Sequence, residues 1–364
     1  MQALPKQAFE FQTDGTLLFS NPYGNGHINM TSLLLDNTGR LYVMQKINQN
    51  VFKNPHALME NVRAVTNFLK PQALESRRAL CLVPTKSGQD WLVDKNGEYW
   101  RMYYFIHDSI CLQQAKDPND FKESGTAFGS FQRQLADFPA ATLHETIPYF
   151  HHTPNRYRLF HEVLKSDAHG RAKNAAREID FALAKENYSG TLLSLLEAGD
   201  MPLRVTHNDT KLNNVLFDRD TRKAICVVDL DTVMPGLSVN DFGDSIRFGA
   251  STGAEDEVDL SKITFSLPLF EAYTAGYLQA CGQSLTPCEI EHLRDGAKMM
   301  TLECGLRFLT DYLDGDNYFG VKREGHNLDR CRTQFELVME MERVWDKMME
   351  VILEITMNIA SKDK

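Results

Sequence analysis

The sequence predicts an α+β fold of two lobes, a mainly β N-terminal lobe over residues 1–106 and a mainly helical C-terminal lobe over residues 107–364. Three observations carry this. Up to residue 106 the chain is a series of short β-branched and aromatic runs broken by turn residues such as Asp36-Asn-Thr-Gly39. From His107 onward apolar residues recur at helical spacing. Within that helical part, Val215-Leu-Phe217 and Ile225-Cys-Val-Val228 flank Asp218-Arg-Asp-Thr-Arg-Lys223 and read as an embedded β-hairpin.

In chain order, residues 16–20, 31–35 and 41–47 are strand candidates. Between the first two lies Pro22-Tyr-Gly-Asn-Gly-His-Ile-Asn29, whose Gly24-x-Gly26 is either an ordinary hairpin turn or a cradle with amides turned to nucleotide phosphates. Residues 54–69 have helical spacing, with Leu58, Val62, Val65 and Phe68 on one face. Residues 79–84, 91–94 and 98–106 follow as strands. The aromatics of the last, Trp100-Arg-Met-Tyr-Tyr-Phe-Ile106, are plain core or the wall of an adenine pocket.

The helical part opens with residues 120–137, which stop before Pro139. A connection over residues 146–154 contains His151-His152, read as a solvent-exposed or turn pair because no carboxylate or cysteine stands at ligand spacing. Residues 167–188 and 190–199 read as two helices. Thr286-Pro-Cys-Glu289 is a capping box opening a helix that runs to about Leu313. Glu303, Arg307 and Asp311 form one polar stripe on it, either a solvated salt-bridge face or a row of hydrogen-bonding groups for a polyhydroxylated substrate. The last helix spans residues 333–359, its methionines filling core.

A net charge of −10 gives no general attraction to nucleic acid or anionic membranes, so neither is expected as a partner. The seven cysteines are odd in number and show no C-x-x-C, which suggests reduced thiols in a cytoplasm rather than disulfides or zinc. The first residues are too polar for a signal peptide and no apolar run approaches a bilayer span. Nothing in the sequence demands more than a monomer.

The chemistry concentrates in Val205-Thr-His-Asn-Asp-Thr-Lys-Leu-Asn-Asn-Val-Leu-Phe217 and Asp229-Leu-Asp231. Asp209 precedes Asn214 by five residues, the spacing of a kinase catalytic loop in which the Asp accepts the proton of the attacking hydroxyl. The hairpin would return Asp229 to Asn214, one carboxylate and one amide oxygen for a hard cation such as Mg²⁺. Downstream, Asp241 or Asp244 is placed to brace this loop through its backbone amides, and Arg247 either pairs with Asp244 or meets a phosphate. Asp241-Phe-Gly243 is not a metal-binding motif here, because Asp229 fills that place.

Residues 205–247 resemble the catalytic core of the aminoglycoside phosphotransferase family, the small-molecule branch of the protein-kinase-like fold. More narrowly, Thr206-His-Asn-Asp-Thr-Lys-Leu-Asn-Asn214, Asp229-Leu-Asp-Thr232, Met234-Pro-Gly236, Asp241-Phe-Gly-Asp-Ser-Ile-Arg-Phe-Gly-Ala-Ser251 and Glu303-Cys-Gly-x-Arg-Phe-Leu309 are similar to the N-acetylhexosamine 1-kinases within it. Gly26-His-Ile-Asn29 and Glu324-Gly-His-Asn-Leu328 extend the likeness over most of the chain. The resemblance implies an ATP- and Mg²⁺-dependent kinase for the anomeric hydroxyl of N-acetylglucosamine or N-acetylgalactosamine. Asp209 would be the base, Asn214 and Asp229 the metal ligands. Asp209, Asp231, Glu303, Arg307 and Tyr318 would meet the sugar, while Gly24, Asn25, Gly26, His27, Gln45, Tyr104, Phe105 and Ile106 would line the ATP site. His207, Asp241, Asp244 and Arg247 would support the loop.

The pattern departs at Gln45, where many members of the wider family carry a basic residue; Lys46 points to the opposite face of a regular strand. The phosphate contact then falls to the turn at 24–29, to Lys46 after a bulge, or to Arg63. Two other readings stay open: a kinase of the same fold for an amino alcohol, aminoglycoside or other sugar, and a nucleotide-binding pseudokinase, against which the retained Asp209, Asn214 and Asp229 argue.

Overall fold

The computed structural model describes residues 3–24, 28–73, 77–115 and 117–362. Short 3-10 turns aside, the order is β1 (Leu17–Pro22), β2 (Met30–Asp36), β3 (Leu41–Lys46), α1 (Pro55–Ala73), β4 (Leu92–Val93), β5 (Tyr99–Tyr104), β6 (Ser109–Cys111), α2 (Pro118–Gln134), α3 (Thr153–Ser166), α4 (Ala176–Lys185) and α5 (Thr191–Ala198). Then come β7 (Arg204–Thr206), β8 (Val215–Asp218), β9 (Ala224–Val227), β10 (Met234–Gly236), α6 (Ser238–Gly249), α7 (Leu267–Cys281), α8 (Pro287–Glu291), α9 (Leu293–Leu313), α10 (His326–Arg343) and α11 (Trp345–Lys362). Two compact units result. One comprises Met1–Cys111, Asp137–Pro148 and Val215–Pro235, the other Leu112–Ala136, Tyr149–Asn214 and Gly236–Lys364.

The first unit is built on a five-stranded antiparallel sheet in the order β1-β2-β3-β5-β4. Side chains alternate across it, so Tyr42 and Met44 of β3 join Leu17, Leu34, Val83 and Met102 in one core while Gln45 falls opposite Arg101 in the register. Helix α1 buries Leu58, Met59, Val62, Val65 and Leu69, whereas Phe68 is exposed and meets the edge of Phe138. The expected hairpin is β8 and β9, with Val215 opposite Val227 and β6 along the far side of β8. Residues 79–84 do not form a strand: Leu82 makes one isolated bridge to Tyr103, and Pro84, which has no amide to donate, ends the pairing.

The second unit is helical. Helix α9 runs through its core, its Leu302, Leu306, Leu309 and Leu313 packing with Tyr157 and Phe160 of α3, Ile179 of α4, and Leu328, Phe335 and Val338 of α10. Glycines set the closest approaches: a Cβ on Gly243 of α6 would stand 2.2 Å from the Gly296 carbonyl of α9, and one on Gly296 would stand 2.0 Å from the Val239 carbonyl. Three helical expectations are corrected. The capping box at Thr286 is formed, but it opens only the short α8; His292 ends that helix before α9 begins. The segment 167–188 is broken, since Asp167 closes α3 in the left-handed region and α4 starts at Ala176. The segment 333–359 is two helices parted at Val344, where Arg294 donates to the Trp345 carbonyl. Among the described residues no helix is long and apolar enough to cross a membrane.

Candidate active site

In the helical unit, β7 delivers the chain into a loop held from below by α6. Asp241, in the first turn of that helix, accepts from the backbone N–H of His207 at 2.7 Å and of Asn208 at 2.8 Å, and from Gln132 Nε2. Burial raises the Asp241 pKa, against the pull of His207 and the two amides. Asp244, one turn on, accepts from the Thr210 amide and from Arg247 Nε at 2.9 Å, while Ser245 Oγ donates to the Thr210 carbonyl. Burial would raise Asp244, but Arg247 and Lys211 bring it below the usual carboxylate range. Arg247 also reaches Glu255, so its guanidinium serves two carboxylates. His207 is buried, with its ring edge-on to Phe128 and its Nδ1 accepting from the Asp209 amide.

These bonds fix the loop's chemistry at Asp209 and Asn214. Asn214 Nδ2 donates to the Asp209 carbonyl at 2.8 Å and to Asp209 Oδ2 at 3.1 Å. Both amide hydrogens are thereby used, and Oδ1 is what the Asn214 side chain has left to offer a cation. The other carboxylate oxygen, Asp209 Oδ1, pairs with Lys211 Nζ at 2.7 Å. Burial lowers the Lys211 pKa, and Asp209 and Asp244 more than restore it. Lys211 is visible in the motif as a cation two residues beyond Asp209, yet spacing by itself assigns it no role.

The sheet unit holds Asp229 and Asp231. Asp229 follows the β8–β9 ladder by two residues and sits at φ 62°, ψ 61°, a left-handed conformation that is costly for a side chain other than glycine. Asp231 is buried. Its Oδ1 lies 2.5 Å from Arg101 Nη1, and its Oδ2 accepts from Asn29 Nδ2 at 2.5 Å. Arg101, on β5, also donates from Nε to Gln45 Oε1 at 2.9 Å. Burial would lower the guanidinium's pKa; the Asp231 carboxylate reverses that, with Asp229 adding to it. The buried cation of this sheet is therefore Arg101, on the strand next to Gln45. A lone arginine inside an aromatic run gave no signal of it, because the pairing of positions 45 and 101 is a matter of register.

The other basic candidates are occupied. Lys46 pairs with Glu98 at 2.9 Å, and Arg63 lies over the Trp91 ring at 5.4 Å. Glu60 is met by His144 at 2.9 Å, not by a strand lysine. Of the expected ATP contacts, Asn25, Gly26 and His27 lie outside the described residues. Gly24 has a φ of +79°, and Tyr104, Phe105 and Ile106 are half-buried at the end of β5, with Phe105 edge-on to Tyr23 and His107.

In the helical unit, Glu303 is buried and takes His151 Nδ1 at 2.9 Å on one oxygen and Thr153 Oγ1 at 2.7 Å on the other. His151 is thus not a solvent-exposed histidine; its side chain is 12% exposed, and the turn that holds it leads into α3, capped by His152 Nδ1. Burial raises Glu303, and the bond from His151 carries it below the usual range. Arg307, one turn along α9, is half-buried and has no hydrogen bond or ion pair among the described residues. The rings of Phe150, Tyr318 and Phe319 stand 5.3 to 5.8 Å from its guanidinium carbon. Tyr318 is exposed on a segment whose amides at 318 and 319 are bound by Asp311. Asp311 is therefore a structural member of the stripe.

Comparisons with known proteins agree with this architecture. A microcompartment-associated aminopropanol kinase superposes with a TM-score of 0.57 at 15% identity, over 94% of this chain and 97% of that one. An amicoumacin kinase in complex with AMP-PNP and Ca²⁺ gives 0.59 at 13% identity over 91% of each chain. An aminoglycoside phosphotransferase from Alicyclobacillus acidocaldarius gives 0.59 at 11% identity, over 99% of this chain and 98% of that one. At such identities the likeness is one of fold, the kinase-like fold. The model of the phosphotransferase enzyme family, APH, matches residues 21–278, well over half of the sequence, and the chain belongs to that family.

Proposed function

We propose that this phosphotransferase moves the γ-phosphoryl group of ATP to the anomeric hydroxyl of N-acetylglucosamine or N-acetylgalactosamine in a Mg²⁺-dependent reaction, the candidate metal ligands being Asn214 Oδ1 in the helical unit and Asp229 in the sheet unit. The observation that carries the acceptor class is the state of charge around Arg307. Among the described residues its guanidinium has no ion pair, the neighbouring Glu303 is already taken by His151 and Thr153, and Arg156 lies close enough to bear on Glu303. A cationic amino alcohol would meet repulsion there. A neutral, polyhydroxylated ring with an amide would find a planar donor and aromatic faces, among them the exposed Tyr318.

In this reading the sugar hydroxyl approaches Asp209, displacing Lys211 from one carboxylate oxygen while Asn214 keeps the other in place. The hydroxyl oxygen bonds to the γ-phosphorus as the bond to the bridging oxygen breaks; that electron pair leaves with ADP and the proton goes to Asp209. The transition state is loose, so alignment and charge neutralisation matter most, and Lys211 supplies a cation within reach of Asp209. One carboxylate and one amide suit an ion that takes its other ligands from phosphate and water, as Mg²⁺ does, and the bound ion would neutralise phosphate oxygens. Gly24 and the segment 104–106 serve ATP, and Asp231 enters as Arg101's partner in the metal-bearing segment.

The test is phosphorus and proton NMR of the protein with ATP, Mg²⁺ and an equimolar mixture of the two sugars, alongside Asp209→Asn. An anomeric phosphate is expected, falling about 10²- to 10⁴-fold in the variant. Phosphate on another hydroxyl, or turnover only with an amino alcohol, would overturn the sugar assignment.

A further inference from the structure

The carbonyl side of the catalytic loop has a brace of its own. Asp241 holds the amides of His207 and Asn208 from α6. The Asn208 carbonyl turns the other way and lies 3.4 Å from His151 Nε2, while the same ring's Nδ1 lies 2.9 Å from Glu303 Oε1. Asn208 has a φ of 63°, a left-handed conformation at the residue directly before Asp209. Asn is among the few residues with a side chain that take this conformation readily.

Both ring nitrogens of His151 thus face acceptors. A carbonyl oxygen has no proton to give, and Glu303 is kept ionised by its neighbours. Neutral imidazole carries one N–H; only the imidazolium carries two. We infer that His151 is held as an imidazolium whose two N–H groups tie Glu303 to the Asn208 carbonyl, making it a positioning residue for Asp209, so that phosphoryl transfer declines as pH rises and this ring loses its second proton. The inference rests on Asp209 being the base.

The charges around the ring bear this out. From α9 it faces Glu303 and Arg307, from α6 Asp244 and Asp241, and Arg156 of α3 acts on Glu303. Burial pulls the imidazole pKa down and Arg307 opposes the charge, yet the bond and charge of Glu303, with Asp244, leave it above its ordinary value. Loss of the proton leaves one acceptor unbound. The weaker of the two bonds, that to Asn208, is then the one released, and the ring's tie to the loop beside Asp209 is lost.

The experiment is a pH titration of the histidine-¹⁵N-labelled full chain by NMR, with the His151 ring found through its proximity to Phe150, combined with the pH profile of kcat. The expected result is two protonated ring nitrogens at pH 7 and a kcat that falls tenfold per pH unit beyond the NMR midpoint. His151→Gln should lose that alkaline limb and run about 10- to 100-fold slower, with KM for ATP unchanged. Glu303→Gln should move the NMR midpoint down. A ring with one bare nitrogen at pH 7, or a variant retaining the same limb, overturns the inference. The NMR needs no substrate, so failure to find a phosphorylated sugar would sink the acceptor assignment without touching it.

Discussion

Arg101 and Asp231 form a buried ion pair, 2.5 Å between Nη1 and Oδ1, with side chains 1% and 5% exposed. Gln45 accepts from Arg101 Nε and Asn29 donates to Asp231 Oδ2 on either side, while among the described residues Asp231 Oδ1 has no partner but the guanidinium it faces. Removing one partner strands the other's charge. Arg101→Met should destabilise the protein by about 3–5 kcal/mol, read as a fall in the denaturant midpoint. Adding Asp231→Asn to that variant should recover part of the loss, since the stranded charge is gone; strict additivity of the two would show that they do not act as a pair.

Arg307 is the opposite case, a guanidinium with aromatic neighbours and no carboxylate partner among the described residues. Arg307→Met should cost the fold about 0.5–1 kcal/mol for each of its three cation–π interactions, while raising KM for the acceptor and leaving KM for ATP where it was. Steady-state kinetics with each substrate varied in turn separates the two. A rise in the ATP constant alone would remove Arg307 from the acceptor side.

Helices α6 and α9 carry Asp241 and Asp244 on one hand and Glu303 and Arg307 on the other, and they meet through Gly243 and Gly296. A methyl on Gly296 would sit 2.0 Å from the Val239 carbonyl, which is backbone and cannot turn aside. Gly296→Ala should therefore part the helices and cost about 1–3 kcal/mol, although alanine is the better helix former. Thermal unfolding measures it. An increase in Tm would mean the helices do not approach each other so closely.

What could be read from the sequence was local. The β8–β9 hairpin is legible because two β-branched runs flank a polar turn, and the Thr286 capping box because its four residues are contiguous. Asp209 and Asn214 are five residues apart and hydrogen-bonded to each other, so spacing alone puts them together. What was missed depends on distant partners. Arg101 finds Gln45 across a register that no stretch of sequence records, and His151 finds Glu303 from 152 positions away. Helix α3 escaped because His152, not Ser, Thr, Asp or Asn, stands at its N-cap.

The His151–Glu303 pair predicts a pH window for stability. His151 has a pKa raised in the folded state, so its contribution is complete below the unfolded imidazole value near 6.5 and is lost as pH rises through the folded one. Glu303 has a lowered pKa, so its contribution is complete above the unfolded carboxylate value near 4.5 and is lost as pH falls through the folded one. Between roughly pH 4.5 and 6.5 both are charged and the bond is whole. Glu303→Gln removes the charge and should lower stability by about 1.5–3 kcal/mol in that window, the worth of a hydrogen bond between charged groups. The difference from the parent protein should shrink as pH rises through the folded-state pKa of His151, because the parent itself then loses the imidazolium. Urea unfolding of both proteins from pH 5 to pH 9 measures it directly. A difference that stays constant across the range would mean that His151 keeps one protonation state throughout.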